Sequence, residues 1–368
     1  MCPIENSIPR KIISDTYTYY KNRGNASKLG FDMNNAFTLI KIVTKILDEE
    51  KAVLDIMTDQ EKSDFVIVGD IHGSLESLFN IFESKGYPDK TKYLFLGDYV
   101  DRGNNSCEVM MTLYAYKCLY PNQIYLIRGN HEFRDMNENY GFKNECLRRI
   151  SQQQNEKFYK EITGTFKYLP ICSILNDKIF CVHGGISALL ENRDQLKELK
   201  KVDDYFCSED SVQAEFLWSD PDDSVSAYTQ SDRGIGCLFG RDALDYFLKS
   251  MDFEFVIRGH QKEDSGYNWP FNENEGILTI FSAKDYCGSF NDGAIAYYPK
   301  NDNQKTQIIP EIQVLKKEEE NEKVDIIEKV YKSEYNAPND IFQNIENLIP
   351  PNYDLYNELG DSFSLLLF

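Results

Sequence analysis

Short apolar runs alternate with segments of helical spacing along residues 65–130. FVIVGD (65–70), YLFLGD (93–98) and QIYLIRGN (123–130) are continuous apolar runs that end at glycine and polar residues, and we predict a buried strand in each. Residues 74–84 and 107–119, which lie between these runs, repeat apolar side chains at helical spacing and predict two helices. This alternation of strand and helix is typical of a layered βαβ fold.

Further apolar runs predict strands in the second half of the chain: KIFCVHGG (178–185), EFVIRGH (254–260), ILTIFSA (277–283) and AIAYY (294–298). A loop rich in glycine, asparagine and aspartate separates the last two, and we expect them to form a β pair. Near the start of the chain, apolar residues recur at helical spacing from about residue 35 to residue 57 and predict one more helix.

The two ends of the chain differ from this middle part. Residues 1–30 are polar and mixed, and we expect an irregular N-terminal extension. Residues 301–368 hold six lysines against fourteen acidic residues. They form an acidic C-terminal extension, which is either a solvated tail or a regulatory or partner-binding segment. The predicted folded domain therefore spans residues 31–300.

Charge and cysteine content narrow the class of protein. With 40 basic and 60 acidic side chains the net charge is −20, which argues against binding nucleic acid or anionic membranes. No apolar run approaches the roughly 18 residues that a membrane span needs. The nine cysteines are scattered without a CxxC pair, which favours a reducing compartment. We expect a cytoplasmic protein, with the nucleus as a second compartment.

Five predicted strands end in glycine-flanked polar residues of the kind that bind metal ions. The motifs are GDIHG (69–73), GDYVDRG (97–103), RGNHE (128–132), VHGGIS (182–187) and IRGHQ (257–261). Ligands gather at the carboxyl ends of strands in open α/β sheets. These motifs hold all four histidines of the chain. The candidate metal ligands are Asp70, His72, Asp98, Asn130, His183 and His260. Their oxygen and nitrogen donors suit manganese, iron or zinc, and six ligands are enough for two ions that share a carboxylate.

These motifs, together with LWSDP (217–221) and FSAKDYCG (281–288), resemble those of the phosphoprotein phosphatase family of metal-dependent Ser/Thr phosphatases. They occur in the family's order over roughly residues 35–300. GSFNDGA (288–294) and RGHQ resemble the type 1 enzymes more than type 2A or calcineurin. The resemblance implies an α/β fold, a metallophosphoesterase-like layered β-sandwich flanked by helices. It also implies a dinuclear metal site at the carboxyl ends of the strands.

The family's pattern divides the candidate ligands between two ions, a manganese pair or an iron and zinc pair. Asp70, His72 and Asp98 would hold the first ion. The second would be held by Asp98, Asn130, His183 and His260, so that Asp98 bridges the two. A hydroxide between the ions would attack phosphorus directly, without a cysteine nucleophile. The implied activity is hydrolysis of phosphoserine and phosphothreonine in proteins.

The resemblance also implies roles for residues around the metals. His131 would be the general acid that protonates the leaving oxygen, and Asp101 would orient it. The residues implied to bind the substrate phosphate are Arg102, Arg233, Asn130, Tyr286 and Tyr140. Structural alternatives remain open: a loop salt bridge for Asp101, a structural salt bridge for Arg233, and packing roles for the two tyrosines.

Two other functions share part of this pattern. A related metallophosphoesterase that cleaves dinucleotides or phosphodiesters has the same metal ligands, and a scaffold without activity would keep the fold. LWSDP and FSAKDYCG favour the protein phosphatase over the related metallophosphoesterase. The complete ligand set argues against an inactive scaffold. Phosphoproteins are then the expected substrates, with regulatory or targeting subunits as further partners. The acidic surface suggests a preference for phosphosites with basic neighbours.

Overall fold

The structure is a computed structural model that describes residues 3–24, 27–58, 63–203, 208, 210–300 and 307–316, with the backbone alone at residues 3–6. The chain divides into two compact units, Met1–Lys317 and Glu318–Phe368. The second unit, which holds most of the predicted acidic extension, lies outside the described residues.

The described residues form nine α-helices: α1 (Pro3–Lys21), α2 (Met33–Glu49), α3 (Leu75–Lys85), α4 (Ser106–Leu119), α5 (Arg134–Tyr140), α6 (Phe142–Arg149), α7 (Asn155–Thr163), α8 (Val212–Trp218) and α9 (Arg241–Met251). Short 3-10 helices lie at Phe166–Tyr168, Arg193–Glu198 and Tyr286–Gly288. In the part of the chain that the structure describes, every helix is too short or too polar to cross a membrane.

The strands of the described residues are β1 (Val53–Ile56), β2 (Phe65–Val68), β3 (Lys92–Phe95), β4 (Ile124–Leu126), β5 (Cys172–Leu175), β6 (Ile179–Val182), β7 (Asp220–Pro221), β8 (Tyr228–Gln230), β9 (Cys237–Phe239), β10 (Phe255–Arg258), β11 (Tyr267–Asn268), β12 (Ile277–Ile280), β13 (Gly293–Tyr298) and β14 (Glu311–Leu315). A six-stranded sheet has the order β1-β5-β6-β10-β12-β11, and a five-stranded sheet has the order β14-β13-β2-β3-β4. A small third sheet has the order β7-β9-β8.

The two large sheets pack face to face and are covered by helices on their outer surfaces. Side chains from both sheets form one buried cluster between them, for example Ile67 and Leu94 from one sheet and Ile257 from the other. Alternate residues such as Val66 point outward and pack against α1 to α4, α6 and α7. Helices α8 and α9 cover the outer surface of the other sheet, where Phe247 is almost completely buried. The predicted α/β fold with a helix-flanked β-sandwich is confirmed.

Parallel pairing brings the candidate ligands to one edge of this sandwich. Strands β2, β3 and β4 run parallel in one sheet, and β6 and β10 run parallel in the other. A parallel bridge between Asp70 and Phe281 joins the ends of the two sheets at this edge. The residues that follow the five strands therefore converge on one region.

The predicted β pair of residues 277–283 and 294–298 is wrong. Strand β12 pairs in parallel with β10 in the six-stranded sheet, whereas β13 pairs antiparallel with β2 in the five-stranded sheet. Ser282 lies at the crossing, where its hydroxyl donates to the carbonyl of Ala294 and accepts from the Gly69 amide. Both strands are almost entirely buried apolar runs, so their local pattern does not indicate which sheet each one joins.

The prediction of one helix over residues 35–57 is correct only in its first part. Helix α2 ends at Glu49, and Glu50 is already extended. Strand β1 follows and pairs in parallel with β5 at the edge of the six-stranded sheet. A strand of four residues is too short to be separated from a preceding helix by its apolar spacing.

The prediction of an irregular N-terminus is wrong for Pro3–Lys21, which form helix α1. Its residue Ile12 is fully buried, and Tyr20 stacks on Phe79 at a centroid distance of 4.9 Å. Packing against α3 and α4 stabilises this helix although its composition is largely polar. At the other end, β14 lies beyond the predicted boundary at residue 300 and pairs with β13.

A buried charge network ties α4 and α6 to the chain that precedes α2. The fully buried guanidinium of Arg149 lies 2.5 Å from Glu108 and 2.8 Å from Glu145. It also donates to the carbonyl of Lys28 at 2.6 Å. We expect Arg149→Met to lower the free energy of unfolding by about 3–5 kcal/mol, because two buried carboxylates lose their cation.

Urea denaturation measures this effect, and the neighbouring exposed residue provides the control. Arg148→Met should change the free energy of unfolding by less than about 0.5 kcal/mol. Equal stabilities for the two variants would show that the Arg149 network contributes little.

Candidate metal centre

Asp98 lies at the centre of the converging side chains, with one histidine on each side. Its Oδ2 atom is 3.3 Å from Nε2 of His72, and its Oδ1 atom is 3.4 Å from Nε2 of His183. Asp70 follows β2, and its Oδ2 atom is 3.7 Å from His72 Nε2. A carboxylate whose two oxygens face different nitrogen donors has the geometry of a bridging ligand.

The second group of donors surrounds Asn130. Its Oδ1 atom is 2.8 Å from Nε2 of His183 and 3.0 Å from Nδ1 of His260, and the two ring nitrogens are 3.2 Å apart. If the amide were turned over, its nitrogen would donate to the histidines and to Asp98. A cation is bound by the amide oxygen and not by the amide nitrogen. Only the orientation with the oxygen inward therefore suits a metal ion.

The histidine tautomers show that lone pairs, and not protons, face Asp98. The Nδ1 atoms of His72 and His183 lie 2.9 and 3.0 Å from the carbonyls of Val100 and Leu96, so these nitrogens carry the protons. Burial lowers the pKa of both rings, and that of His260, well below the usual histidine range. The Nε2 atoms of His72 and His183 are then acceptors that face a carboxylate, an arrangement that a metal ion would reconcile.

The carboxylates show the same need for a cation. Burial raises the pKa of Asp70 to about 7. Burial also raises the pKa of Asp98 well above its usual range, and the charge of Asp70 adds to this effect. The Oδ2 atom of Asp70 is buried and has no hydrogen-bond partner among the residues that the structure describes. These oxygen and nitrogen donors fit one or two metal ions of the manganese, iron or zinc type.

Bound metal should stabilise the folded chain, because it compensates these buried donors. At a free Mn²⁺ concentration of 100 times the dissociation constant we expect a gain of about 2.7 kcal/mol. The shift in melting temperature between chelated and Mn²⁺-loaded protein measures it. An Asp98→Asn variant should show a much smaller shift, and equal melting temperatures of the wild type with and without metal would contradict the assignment.

The backbone holds several of these ligands in strained conformations. His72, Asp98 and His260 have φ values of 44°, 52° and 72°, in the left-handed region that non-glycine residues seldom adopt. Glu132 fixes the turn at Asp98 by accepting the amide protons of Asp98 and Gly129 at 2.8 and 2.9 Å. Sequence reasoning missed Glu132, although it is the last residue of the RGNHE motif.

His131 lies against the metal ligands and is held by Asp101. Its Nδ1 atom is 2.8 Å from Oδ2 of Asp101, and its backbone amide donates to Asp98 at 2.9 Å. Asp101 is fully buried and also accepts from Asn137, which the sequence analysis did not single out. One atom each of His72, Asp98 and His131 lies within 4.8 Å of the others, so His131 is also near enough to ligate. Its bond to Asp101 fixes the orientation of the ring.

Arg102 and the two tyrosines line the approach to this cluster. The guanidinium of Arg102 lies 4.3 Å from the ring centre of Tyr140, and that ring is 5.3 Å from the ring of His131. Tyr286 is half-buried, and its ring is 5.0 Å from that of His72. All three residues therefore border the candidate metal ligands.

Arg233 takes part in an ion pair on the other side of the cluster. Its Nε atom donates to Asp220 at 2.7 Å, while its side chain stays 39% exposed. Asp220 also accepts from the buried Arg258 at 2.9 Å, and Nε2 of His260 lies 3.9 Å from it. Arg233 thus forms a salt bridge, which is the structural role that the sequence left open for it. Arg258 was missed by the sequence analysis, although it belongs to the RGHQ motif.

Comparison with known proteins relates this arrangement to phosphoesterases. Residues 63–264 match the family described as calcineurin-like phosphoesterase. A protein serine/threonine phosphatase from Saccharomyces cerevisiae, described as similar to human phosphatase PP5, is 27% identical with a TM-score of 0.70. The match covers 78% of this chain and 91% of that one. A mutant of a cold-active protein tyrosine phosphatase is 17% identical, with a TM-score of 0.50 over 74% of this chain and 84% of its own, and shares the fold alone.

Proposed function

Since the chain belongs to the calcineurin-like phosphoesterase family, we propose that it is a metal-dependent phosphatase of phosphoserine and phosphothreonine in proteins. Members of this family use a dinuclear metal site. The similarity to the yeast serine/threonine phosphatase supports the proposed substrate class. The motifs that resemble the phosphoprotein phosphatases support it independently.

The observation that carries the proposal is the position of Asp98 between two groups of candidate metal ligands. Asp70 and His72 would hold one ion, and Asn130, His183 and His260 would hold the other, with Asp98 common to both. We propose a manganese pair or an iron and zinc pair, because nitrogen and oxygen donors suit these ions. When bound, two ions lower the pKa of a water molecule that they share and neutralise charge on the phosphate.

His131 would hold a proton and transfer it to the oxygen of the leaving serine or threonine. The bond between its Nδ1 atom and Asp101 stabilises the cationic ring before the transfer and keeps Nε2 available for the proton. Asn137 and the amide of Phe142 also donate to Asp101, at 2.9 and 2.8 Å, so its carboxylate cannot rotate freely.

The remaining residues would bind the phosphate. Arg102 is exposed at the mouth of the site, and its planar fork of donors matches two phosphate oxygens. Arg233 would contribute the guanidinium nitrogens that its Nε bond to Asp220 does not use. Asn130, Tyr286 and Tyr140 would add amide and hydroxyl groups around the same anion.

A substrate panel tests the proposed function against its rivals. Phosphate release is measured from phosphoserine, phosphothreonine and phosphotyrosine peptides, from a phosphodiester and from a dinucleotide, with Mn²⁺ and with chelator. We expect metal-dependent hydrolysis of the phosphoserine and phosphothreonine peptides and little hydrolysis of the others. Faster cleavage of the diester or the dinucleotide would identify the related phosphoesterase. No hydrolysis of any substrate would favour the inactive scaffold.

The protein partners and the cellular compartment of the chain are also proposed. We propose that regulatory or targeting subunits direct the enzyme to phosphoproteins in the cytoplasm and the nucleus. Co-purification from cells, followed by mass spectrometry, tests this proposal. Recovery of nucleic acid in stoichiometric amount would contradict it.

A further inference from the structure

A groove opens beside Arg102 and continues along helix α6. It has a volume of about 540 Å³, and its walls are the loop of residues 102–104 and one face of α6. Asn144 and Arg148 lie one helical turn apart and therefore share this face. None of the groove residues other than Arg102 has a part in the proposed reaction.

The groove is positively charged. Arg102 and Arg148 are both exposed, and among the described residues no carboxylate lies within ion-pair distance of either guanidinium. The acidic residue of the lining, Glu145, is buried and bonded to Arg149 at 2.8 Å. It also accepts the amide protons of Ser106 and Cys107 at 2.9 and 3.1 Å. Arg102 and Arg148 are therefore the charged groups that the groove exposes to solvent.

Some other cations of the chain pair with carboxylates. Lys11 pairs with Asp15, Lys178 with Asp252 and Arg241 with Asp245, at distances from 2.5 to 2.9 Å. In a chain with a net charge of −20, Arg102 and Arg148 line one groove and have no such partner among the described residues. The planar fork of an exposed guanidinium matches an external anion.

The groove is continuous with the site proposed for the scissile phosphate. Arg102 belongs to both, and its backbone amide donates to the carbonyl of Tyr140 at 2.9 Å. This bond holds the loop against the last residue of α5, just before α6 begins. An extended peptide advances roughly 3.3–3.6 Å per residue. A peptide whose phosphate meets Arg102 would therefore place neighbouring side chains along the groove.

We propose that this groove is a subsite for a second anionic group of the substrate, either an acidic or a phosphorylated side chain. The proposal rests on the proposed protein phosphatase function and specifies its substrate class. It differs from the preference for basic neighbours that the net charge suggests. Charges more than about 8 Å away are largely screened at physiological salt, so the two arginines outweigh the remote acidic surface.

Steady-state kinetics with matched phosphoserine peptides tests the subsite. Each position within three residues of the phosphoserine is occupied in turn by alanine, glutamate, lysine or a non-hydrolysable phosphonate. We expect at least one position at which glutamate or phosphonate lowers KM by about fivefold relative to alanine, with kcat unchanged. The glutamate and phosphonate arms distinguish the two sources of the anion.

The variant Arg148→Glu should abolish or invert this difference between the anionic and alanine peptides. Lys249→Glu introduces the same change in charge on α9, which lies on the other outer surface, and should keep the wild-type preference. Equal KM values for all peptides, or a preference for lysine, would overturn the subsite while leaving the phosphatase intact. Failure of the wild type to hydrolyse any of these peptides would instead overturn the proposed function itself.

Discussion

Replacing Asp98 with asparagine is expected to lower kcat/KM for a phosphoserine peptide by at least about 1,000-fold, or about 4 kcal/mol. Asp98 lies between His72 and His183, and its two oxygens face them at 3.3 and 3.4 Å. An amide is neutral and offers only one oxygen, so it cannot bridge two ions. The site would lose metal together with the neutralisation of charge that the ions supply.

Metal analysis of the same preparations links this loss of activity to its cause. The Asp98→Asn protein should bind fewer than two ions per chain, whereas the wild type should bind two. Asp245→Asn, a matched change at an exposed residue of α9, should leave both activity and metal content at the wild-type level. An Asp98→Asn enzyme within tenfold of wild-type activity would contradict the bridging role.

The second large effect is expected at His131. His131→Ala should lower kcat for a phosphoserine peptide by about 10²–10⁴-fold, the usual contribution of a general acid. For p-nitrophenyl phosphate the loss should be much smaller, since its leaving group is a stable anion that needs no proton. The bond from position 131 to Asp98 comes from the backbone amide and survives the substitution.

Two controls separate proton donation by His131 from metal binding. His131→Ala should keep the wild-type metal content, whereas loss of an ion would indicate that the ring is a ligand. Asp101→Asn should lower kcat by itself but should add little to His131→Ala, because it acts through the ring that it orients. Equal losses for the peptide and for p-nitrophenyl phosphate would exclude the general acid role.

The sequence could predict which side chains converge on the candidate metal centre because the signals are local. Each ligand candidate follows a strand within a few residues, and parallel pairing brings the ends of β2, β3 and β4 together. The tautomers of His72 and His183 depend on backbone carbonyls that belong to other segments of the chain. For that reason the geometry around Asp98 could be described only from the folded structure.

Other features depend on packing between distant segments, which the local sequence pattern does not predict. Strands β12 and β13 are both buried apolar runs, yet they belong to different sheets. Helix α1 is stabilised by Phe79 and by α4, which lie far away in sequence. Arg148 and Arg149 are adjacent and identical, and only their positions on α6 make one a buried partner of Glu145 and the other an exposed wall of the groove.

A metal titration of activity tests the dinuclear centre most directly. Purified protein is freed of metal, and phosphate release from a phosphoserine peptide is followed as Mn²⁺ is added back. We expect no activity without metal and full activity when two ions are bound per chain. Full activity of the metal-free protein, or no activity with two ions bound, would contradict a dinuclear phosphatase built around Asp98.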